Sequence, residues 1–252
     1  MIRLSDRLEK IYSLIEPGER VADIGTDHAL LPIALYARGR TRALILSDTR
    51  PGPLEKTRAG LDRLLPGAVF DIRLGDGLAP YACGEVDVAV MAGMGGRLIA
   101  DILSADAEKA RSLGRYILQP RNAADKLRLR LAELGFVVFD ESLAAEGRFI
   151  CEILCAAPAA RFAGASRPAP ARPAALRRAE GILAAGGLSE EISPLLFRKS
   201  EPLLAAWLER KLKTAETVSE HLAAAGAGKE ALLEKSRARA ASFRALLDTL
   251  RA

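Results

Sequence analysis

The chain has 252 residues, 50% of them hydrophobic and 27% charged, with 21 Gly, 13 Pro and a net charge of +5. That is apolar material for one large core, or a core with an appendage, and it excludes a disordered, fibrous or low-complexity protein. The charge is uneven: residues 1–157 carry 21 Lys and Arg against 22 Asp and Glu, and the remainder carries 16 against 10, so a surplus of +6 lies in the C-terminal part.

Ser5 is placed to cap a first helix bearing Leu8, Ile11, Tyr12 and Ile15 on one face, which Pro17-Gly18 ends. Short apolar runs then alternate with helical patterns. Strands are expected at residues 21–24, 43–47, 69–74, 86–91 and 116–118, and helices at 29–38, 53–65, 97–111 and 123–134. Such β-α-β repetition calls for a parallel sheet covered by helices on both faces. Residues 136–142 and 149–156 flank Glu146-Gly147-Arg148 and read as a hairpin that closes one edge, making seven strands.

Residues 157–174 hold four Pro and the cations Arg161, Arg167 and Arg172, a linker composition. Beyond them the apolar period is helical. Leu204, Leu208, Leu212, Ala215, Val218 and Leu222 share one stripe, Leu233, Ser236, Ala240, Phe243, Leu247 and Leu250 another, and Ala225-Gly226-Ala227-Gly228 is the turn between them. A helical hairpin is expected, with Trp207 and Phe243 in its core. Two helices bury little, so the pair should pack on the first domain, another chain or a large ligand. The domain reading is therefore 1–157, a linker at 158–174, and 175–252.

Cys83, Cys151 and Cys155 have neither zinc spacing nor a disulfide framework, so no metal and a reducing compartment are expected. The charged N-terminus has no signal-peptide core. No apolar run approaches the roughly 18 residues that cross a bilayer, and the expectation is a cytoplasmic protein with no membrane role. The basic C-terminal surplus suits attraction to a polyanion, and equally a solvated helical surface.

The first strand runs into Asp23-Ile24-Gly25-Thr26-Asp27-His28-Ala29. A Gly here lets the chain turn so that backbone amides and a helix start face a cofactor. Asp27 and Ala29 stand where a dinucleotide fingerprint has its other glycines, which argues against NAD or FAD. An acid near the helix start suits a cationic group; alternatively, Asp23 or Asp27 caps the helix. Asp48 follows the second strand, 23 residues after Gly25, where a carboxylate can hold a ribose diol. Asp76, in Gly75-Asp76-Gly77, can accept from an adenine amino group after the third. Ala92-Gly93-Met94-Gly95-Gly96 leaves room above the fourth. A NAD-type oxidoreductase gives Asp48 a role and Asp76 none, whereas S-adenosylmethionine uses both; ordinary turn residues are the structural alternative.

The segments VADIGTDHALLPI, GPLEKTRAGL, IRLGDGL, MAGMGGRLI and YILQPRN resemble, in order and spacing, the bacterial tRNA (adenine22-N1)-methyltransferase family over roughly residues 4–155. The resemblance implies an α/β fold, a Rossmann-like seven-stranded methyltransferase sheet followed by a C-terminal α-helical, coiled-coil-like hairpin. It implies S-adenosylmethionine held by Asp23, Gly25, Asp48, Asp76 and Gly77 with Ala92 and Gly93 beside them. Asp27 and His28, on the same loop as Gly25, join the cofactor-binding candidates. The chain departs from the family at Leu30, where Tyr is frequent, and at Gln119-Pro120-Arg121-Asn122, where Gln-Pro-Asn is common. The implied partner is tRNA and the expected state a monomer. Rival readings are a methyltransferase on another substrate, or an RNA-binding protein without catalysis.

Adenine N1 attacks an already activated methyl, so positioning should dominate. As the ring becomes cationic its N6 proton turns acidic, and Asp27, His28 and Gln119 are the candidate acceptors. His28 can instead bond within its own turn, and Gln119 can tie down a loop. The base must leave the stack, at a cost that phosphate contacts from the C-terminal segment and from Arg121, Arg128 and Arg148 would offset.

Overall fold

The computed structural model describes residues 2–26, 28–163, 174–225 and 228–251. In the first unit, Met1–Ala165, the chain order is α1 (Asp6–Ser13), β1 (Val21–Ile24), α2 (Leu30–Ala37), β2 (Leu44–Asp48), α3 (Pro51–Leu64), β3 (Asp71–Leu74), β4 (Val88–Met94), α4 (Gly96–Ala105), α5 (Ala107–Ser112), β5 (Arg115–Pro120), α6 (Ala124–Glu133), β6 (Phe136–Glu146) and β7 (Phe149–Pro158). The seven strands form one sheet in the order β3-β2-β1-β4-β5-β7-β6. β1 to β5 pair in parallel, and β7 runs antiparallel to both β5 and β6. This is the Rossmann-like arrangement of the methyltransferase sheet, closed at one edge by the expected hairpin.

The central strands are apolar on both sides because helices cover both faces. Their side chains alternate between two cores. Ala22, Ala89, Met91, Tyr116 and Leu118 meet Ile99 and Leu103 of α4, Ala110 of α5, and Leu127 and Leu131 of α6. Val21, Val88, Val90 and Ile117 meet Ile11 of α1, Ile33 and Leu35 of α2, and Leu61 of α3. Sequence order and the right-handed crossover thus put α1 to α3 on one face and α4 to α6 on the other.

Several boundaries differ from the sequence reading. Residues 97–111 form two helices, not one: Asp106 leaves the helical region (φ −143°, ψ 77°), and its carboxylate accepts from Lys109 N–H at 2.9 Å to cap α5. A side chain that can cap competes with helix continuation. The third strand starts at Asp71, and Val69 is 88% exposed. β4 and β5 extend to Met94 and Pro120, so Gln119 lies inside a strand; likewise Asp48 is the last residue of β2.

The second unit, Ser166–Ala252, contains α7 (Ala174–Ala185), α8 (Pro194–Arg198), α9 (Leu204–Ala224) and α10 (Glu230–Arg251). α9 and α10 make the expected hairpin, with Trp207 and Phe243 buried as expected. Ser236 Oγ donates to Ala215 O at 3.0 Å where the two helices meet. The hairpin is not alone: α7 packs on α10 and on α8, and Lys211 and Arg239 of the hairpin both pair with Glu191. α7 escaped the sequence reading because its Ala-rich stripe merges with the Pro-rich stretch before it, and α8, five residues long, is too short to show a helical period. Much of that stretch, including Arg167 and Arg172, and the turn residues 226 and 227 lie outside the described residues. Among the described residues no helix is long and apolar enough to cross a membrane.

Candidate functional site

The carboxyl ends of the parallel strands open into two cavities. The first, about 310 Å³, is lined by Gly25 after β1, Ser47 and Asp48 at the end of β2, Gly75-Asp76-Gly77 after β3, and Met94 at the end of β4. Open α/β sheets take ligands at this edge because helix starts and unpaired strand ends converge there.

Asp48 is nearly buried. Its Oδ1 accepts the Arg50 backbone N–H at 2.9 Å, while the exposed Arg50 guanidinium stands 3.8 Å away. Its other carboxylate oxygen has no partner among the described residues. Asp76 is exposed, and its carboxylate also makes no bond to them. Two acceptors with open lone pairs, one on each side of a cavity, are what a diol and an exocyclic amine require. Both turns need glycine for their left-handed backbone, Gly77 having φ +50°. A Cβ on Gly25, which has φ +77°, would lie 2.1 Å from the Met94 methyl, and one on Gly77 would lie 2.8 Å from Ile102.

Asp23 lies in β1 just before this cavity and does not line it. Burial pushes its carboxyl up to about 6. The Thr26 hydroxyl is near enough to oppose that shift, although in the structure this buried oxygen makes no hydrogen bond of standard geometry. No cation lies within ion-pair range of Asp23 among the described residues. The turn that follows is strained: His28 (φ 67°) and Ala29 (φ 50°) both take the left-handed conformation, at a cost of about 1–3 kcal/mol each. Ala29 is buried, and its carbonyl starts α2 by accepting from Ile33 N–H at 2.9 Å, which holds the turn in place. His28 is exposed and lines neither cavity; Asp27 lies outside the described residues.

The second cavity, about 460 Å³, is lined by Gly93, Gln119, Arg121, Asn122, Glu146, Phe149, Cys151 and Arg7 among others. A register shift between β4 and β5 at Ala92/Met94 makes Gly93 a bulge with φ +78°. Its N–H, left without a strand partner, donates to Gln119 Oε1 at 3.0 Å. The same oxygen accepts from Arg7 Nη1 at 3.0 Å, and Gln119 Nε2 donates to Pro120 O at 3.0 Å. Two obligate donors on one end and a carbonyl on the other leave only one orientation for the amide. Arg7 also pairs with Glu146 at 3.4 Å.

The glycine loop is keyed to the loop after β5. Gly96 N–H donates to Asn122 O at 3.0 Å, and a Cβ on Gly96 would fall 2.5 Å from Ala123 O. Arg121 and Asn122 stand exposed at the rim, and their side chains have no partner among the described residues. Arg128 does not reach it as expected. It is buried and bonds Glu141 and Glu152, both at 2.7 Å, because an interior guanidinium must be paired. Arg148 lies over the Phe149 ring at 5.1 Å.

The structure therefore gathers Gly25, Asp48, Asp76 and Gly77 at one cavity, and Gly93 and Gln119 at the other. Ala92 precedes the bulge that separates the two. Arg7, Glu146 and Phe149 were not anticipated. Arg7 is 112 residues from Gln119, and no local pattern marks that juxtaposition. Among the described residues no group of three or more His, Cys, Asp or Glu could hold a metal.

Comparison with known proteins places this geometry. A family model described as a methyltransferase domain matches residues 4–154. A Bacillus subtilis tRNA (adenine(22)-N(1))-methyltransferase is 34% identical over 155 residues, covering 62% of this chain and 65% of that relative's length. A Streptococcus agalactiae structure described as NADB-Rossmann is 26% identical with a TM-score of 0.76 and covers 98% of both chains. A Streptococcus pneumoniae structure in complex with S-adenosyl-L-methionine is 26% identical with a TM-score of 0.74, over 97% of this chain and all of that one.

Proposed function

The chain belongs to the methyltransferase-domain family, and from that premise we propose that it transfers a methyl group from S-adenosylmethionine to N1 of an adenine in tRNA. Likeness to the Bacillus subtilis relative points to adenine 22. The observation that carries the proposal is the grouping of Gly25, Asp48, Asp76 and Gly77 around one cavity, with a second cavity across the Gly93 bulge.

The residues present fit S-adenosylmethionine. Among the described residues, Asp48 and Asp76 offer unpaired acceptors and Asp23 is an acid without a cation, and Gly77 has no room for a side chain. When bound, the cofactor supplies a methyl group already activated on a positively charged sulfur. Asp48 would accept from the ribose hydroxyls and Asp76 from the adenine amino group. Asp23 would stabilise positive charge near the turn, through an electrostatic interaction strengthened by its burial. The second cavity has the volume for a purine, with Arg121 and Asn122 at its rim.

The chain then has to hold adenine N1 in line with the methyl carbon and keep water out. Gln119 is a poor acceptor for the N6 proton, since Arg7 and Gly93 already occupy its oxygen. Of the sequence candidates Asp27 is left for that role, since His28 lines neither cavity, and Gln119 becomes a residue that shapes the site. The C-terminal surplus of +6 would supply phosphate contacts, so tRNA affinity should fall with salt. The monomeric state, the cytoplasmic location and the absence of a metal belong to the same reading.

The test is nucleoside mass spectrometry of unmodified tRNA after incubation with the protein and S-adenosylmethionine. The expected product is 1-methyladenosine. A methyl group on another nucleoside, or none, overturns the reading.

A further inference from the structure

The Gly93 bulge is the partition between the two cavities: Met94 lines the first and Gly93 the second. Methyl transfer across it would depend on the shape of this short stretch of backbone. A β-bulge leaves one residue without its ladder partner and bends the strand, so something else must fix it. Here that is the side chain of Gln119, buried and holding the Gly93 N–H.

The oxygen of Gln119 is held in turn by Arg7, which reaches it from α1, an element outside the parallel β-α-β core. Arg7 is anchored at its other side by Glu146 at the end of β6. Three elements distant in sequence thus converge on one backbone amide. A hydrogen bond donated by a guanidinium is stronger than one between neutral groups, and it polarises the amide it meets. An amide tied only to Pro120 O and Gly93 N–H could rotate about its last torsion; with the Arg7 donor in place it has three fixed partners.

We propose that Arg7 is a positioning residue for the methyl transfer, acting through Gln119 to fix the Gly93 amide and hence the partition between the two cavities. The proposal rests on the function proposed above. Arg7 lines the second cavity, and this scheme assigns it no bond to either reactant. Its removal should lower kcat by about 10–100-fold, the scale on which a misplacement near 1 Å slows a reaction. The affinity for S-adenosylmethionine, set by Asp48 and Asp76 in the other cavity, should stay within about twofold.

The experiment uses the full chain and the variants R7A, Q119L and R7A/Q119L. It measures kcat, KM for tRNA, equilibrium binding of S-adenosylmethionine, and the backbone amide resonance of Gly93 in labelled protein without ligand. If Arg7 works through Gln119, the double variant is no slower than Q119L alone, whereas independent effects would multiply. The Gly93 resonance should move in R7A and further in Q119L. Should R7A not fold, R7K, which keeps one donor, decides in its place: partial loss of kcat with a displaced Gly93 resonance is expected. Wild-type turnover in R7A or R7K overturns the proposal. So does an unmoved Gly93 resonance, a loss of cofactor affinity matching the loss of kcat, or multiplicative effects in the double variant. A wild-type protein that methylates no tRNA sinks the functional reading alone, since the ligand-free Gly93 resonance still reports whether the linkage exists.

Discussion

The two cavities at the carboxyl edge of the sheet differ in how many partners their polar groups already have. Among the described residues, Asp48 around the first has one oxygen without a partner and Asp76 two, and Asp23 is an acid that burial holds near 6 with no cation beside it. Around the second, Gln119 makes three hydrogen bonds and Glu152 faces Arg128, while Glu146 pairs with Arg7 at 3.4 Å and its buried Oε2 makes no hydrogen bond among the described residues. Acceptors that open on a cavity can exchange water for the donors of a ligand without losing a protein partner. Groups already bonded, such as Gln119 and Glu152, shape the cavity instead.

Breaking the first region should produce the largest effect. Losing a charge-assisted hydrogen bond costs about 1–3 kcal/mol, and the two acids serve different parts of the ligand. The double variant Asp48→Ala/Asp76→Ala should therefore weaken S-adenosylmethionine binding by about 2–6 kcal/mol, measured by calorimetric titration. Affinity near that of the wild type would remove both acids from the site.

A substitution in the second region should act on its shape. Gly96→Ala sets a methyl against the backbone oxygens of Ala123 and Asn122. It should destabilise the protein by about 1–3 kcal/mol, as overpacking against a rigid partner does. Chemical denaturation measures this, and an unchanged midpoint would mean that the two loops are not locked together.

Asp23 sharpens the contrast through pH. Its folded value, about 6, is raised from 3.8. The stability it contributes is thus fully present below about pH 4 and is lost as pH rises through about 6. Asp23→Asn should be more stable than the wild type by on the order of 2 kcal/mol at pH 8 and equal to it near pH 3.5. The same variant should bind the cationic cofactor less tightly at pH 8. Thermal melts at the two pH values check the first statement, and equal melting at pH 8 would contradict it. The smallest effect is expected from Arg50→Ala. Its guanidinium is 77% exposed and 3.8 Å from Asp48, so binding should change by less than about 0.5 kcal/mol.

Legibility in the sequence follows the same division. Gly25, Asp48, Asp76 and Gly77 could be found because each stands at a strand end, and strand ends in a parallel sheet meet at one edge. The strand pattern was equally open, since β1 and the middle of β5 are apolar runs bounded by turn residues. Arg128 was misplaced because a helical Arg looks the same in sequence whether it faces solvent or the two carboxylates of β6 and β7. Arg7 and Glu146 were hidden for a related reason: their roles arise where α1 meets β6, a pairing that no sequence period encodes. Gln119 is legible as a candidate, yet its partners come from a bulge and a distant helix. Asp106, which splits α4 from α5, shows that capping ability can override an apolar stripe running through it.

The claim on which the rest depends is that the acidic edge receives S-adenosylmethionine and not a dinucleotide. Calorimetric titration of the wild-type chain with S-adenosylmethionine and, separately, with NAD+ tests it most directly. One S-adenosylmethionine bound per chain and no measurable heat with NAD+ is the predicted result; tight NAD+ binding without S-adenosylmethionine binding would contradict it.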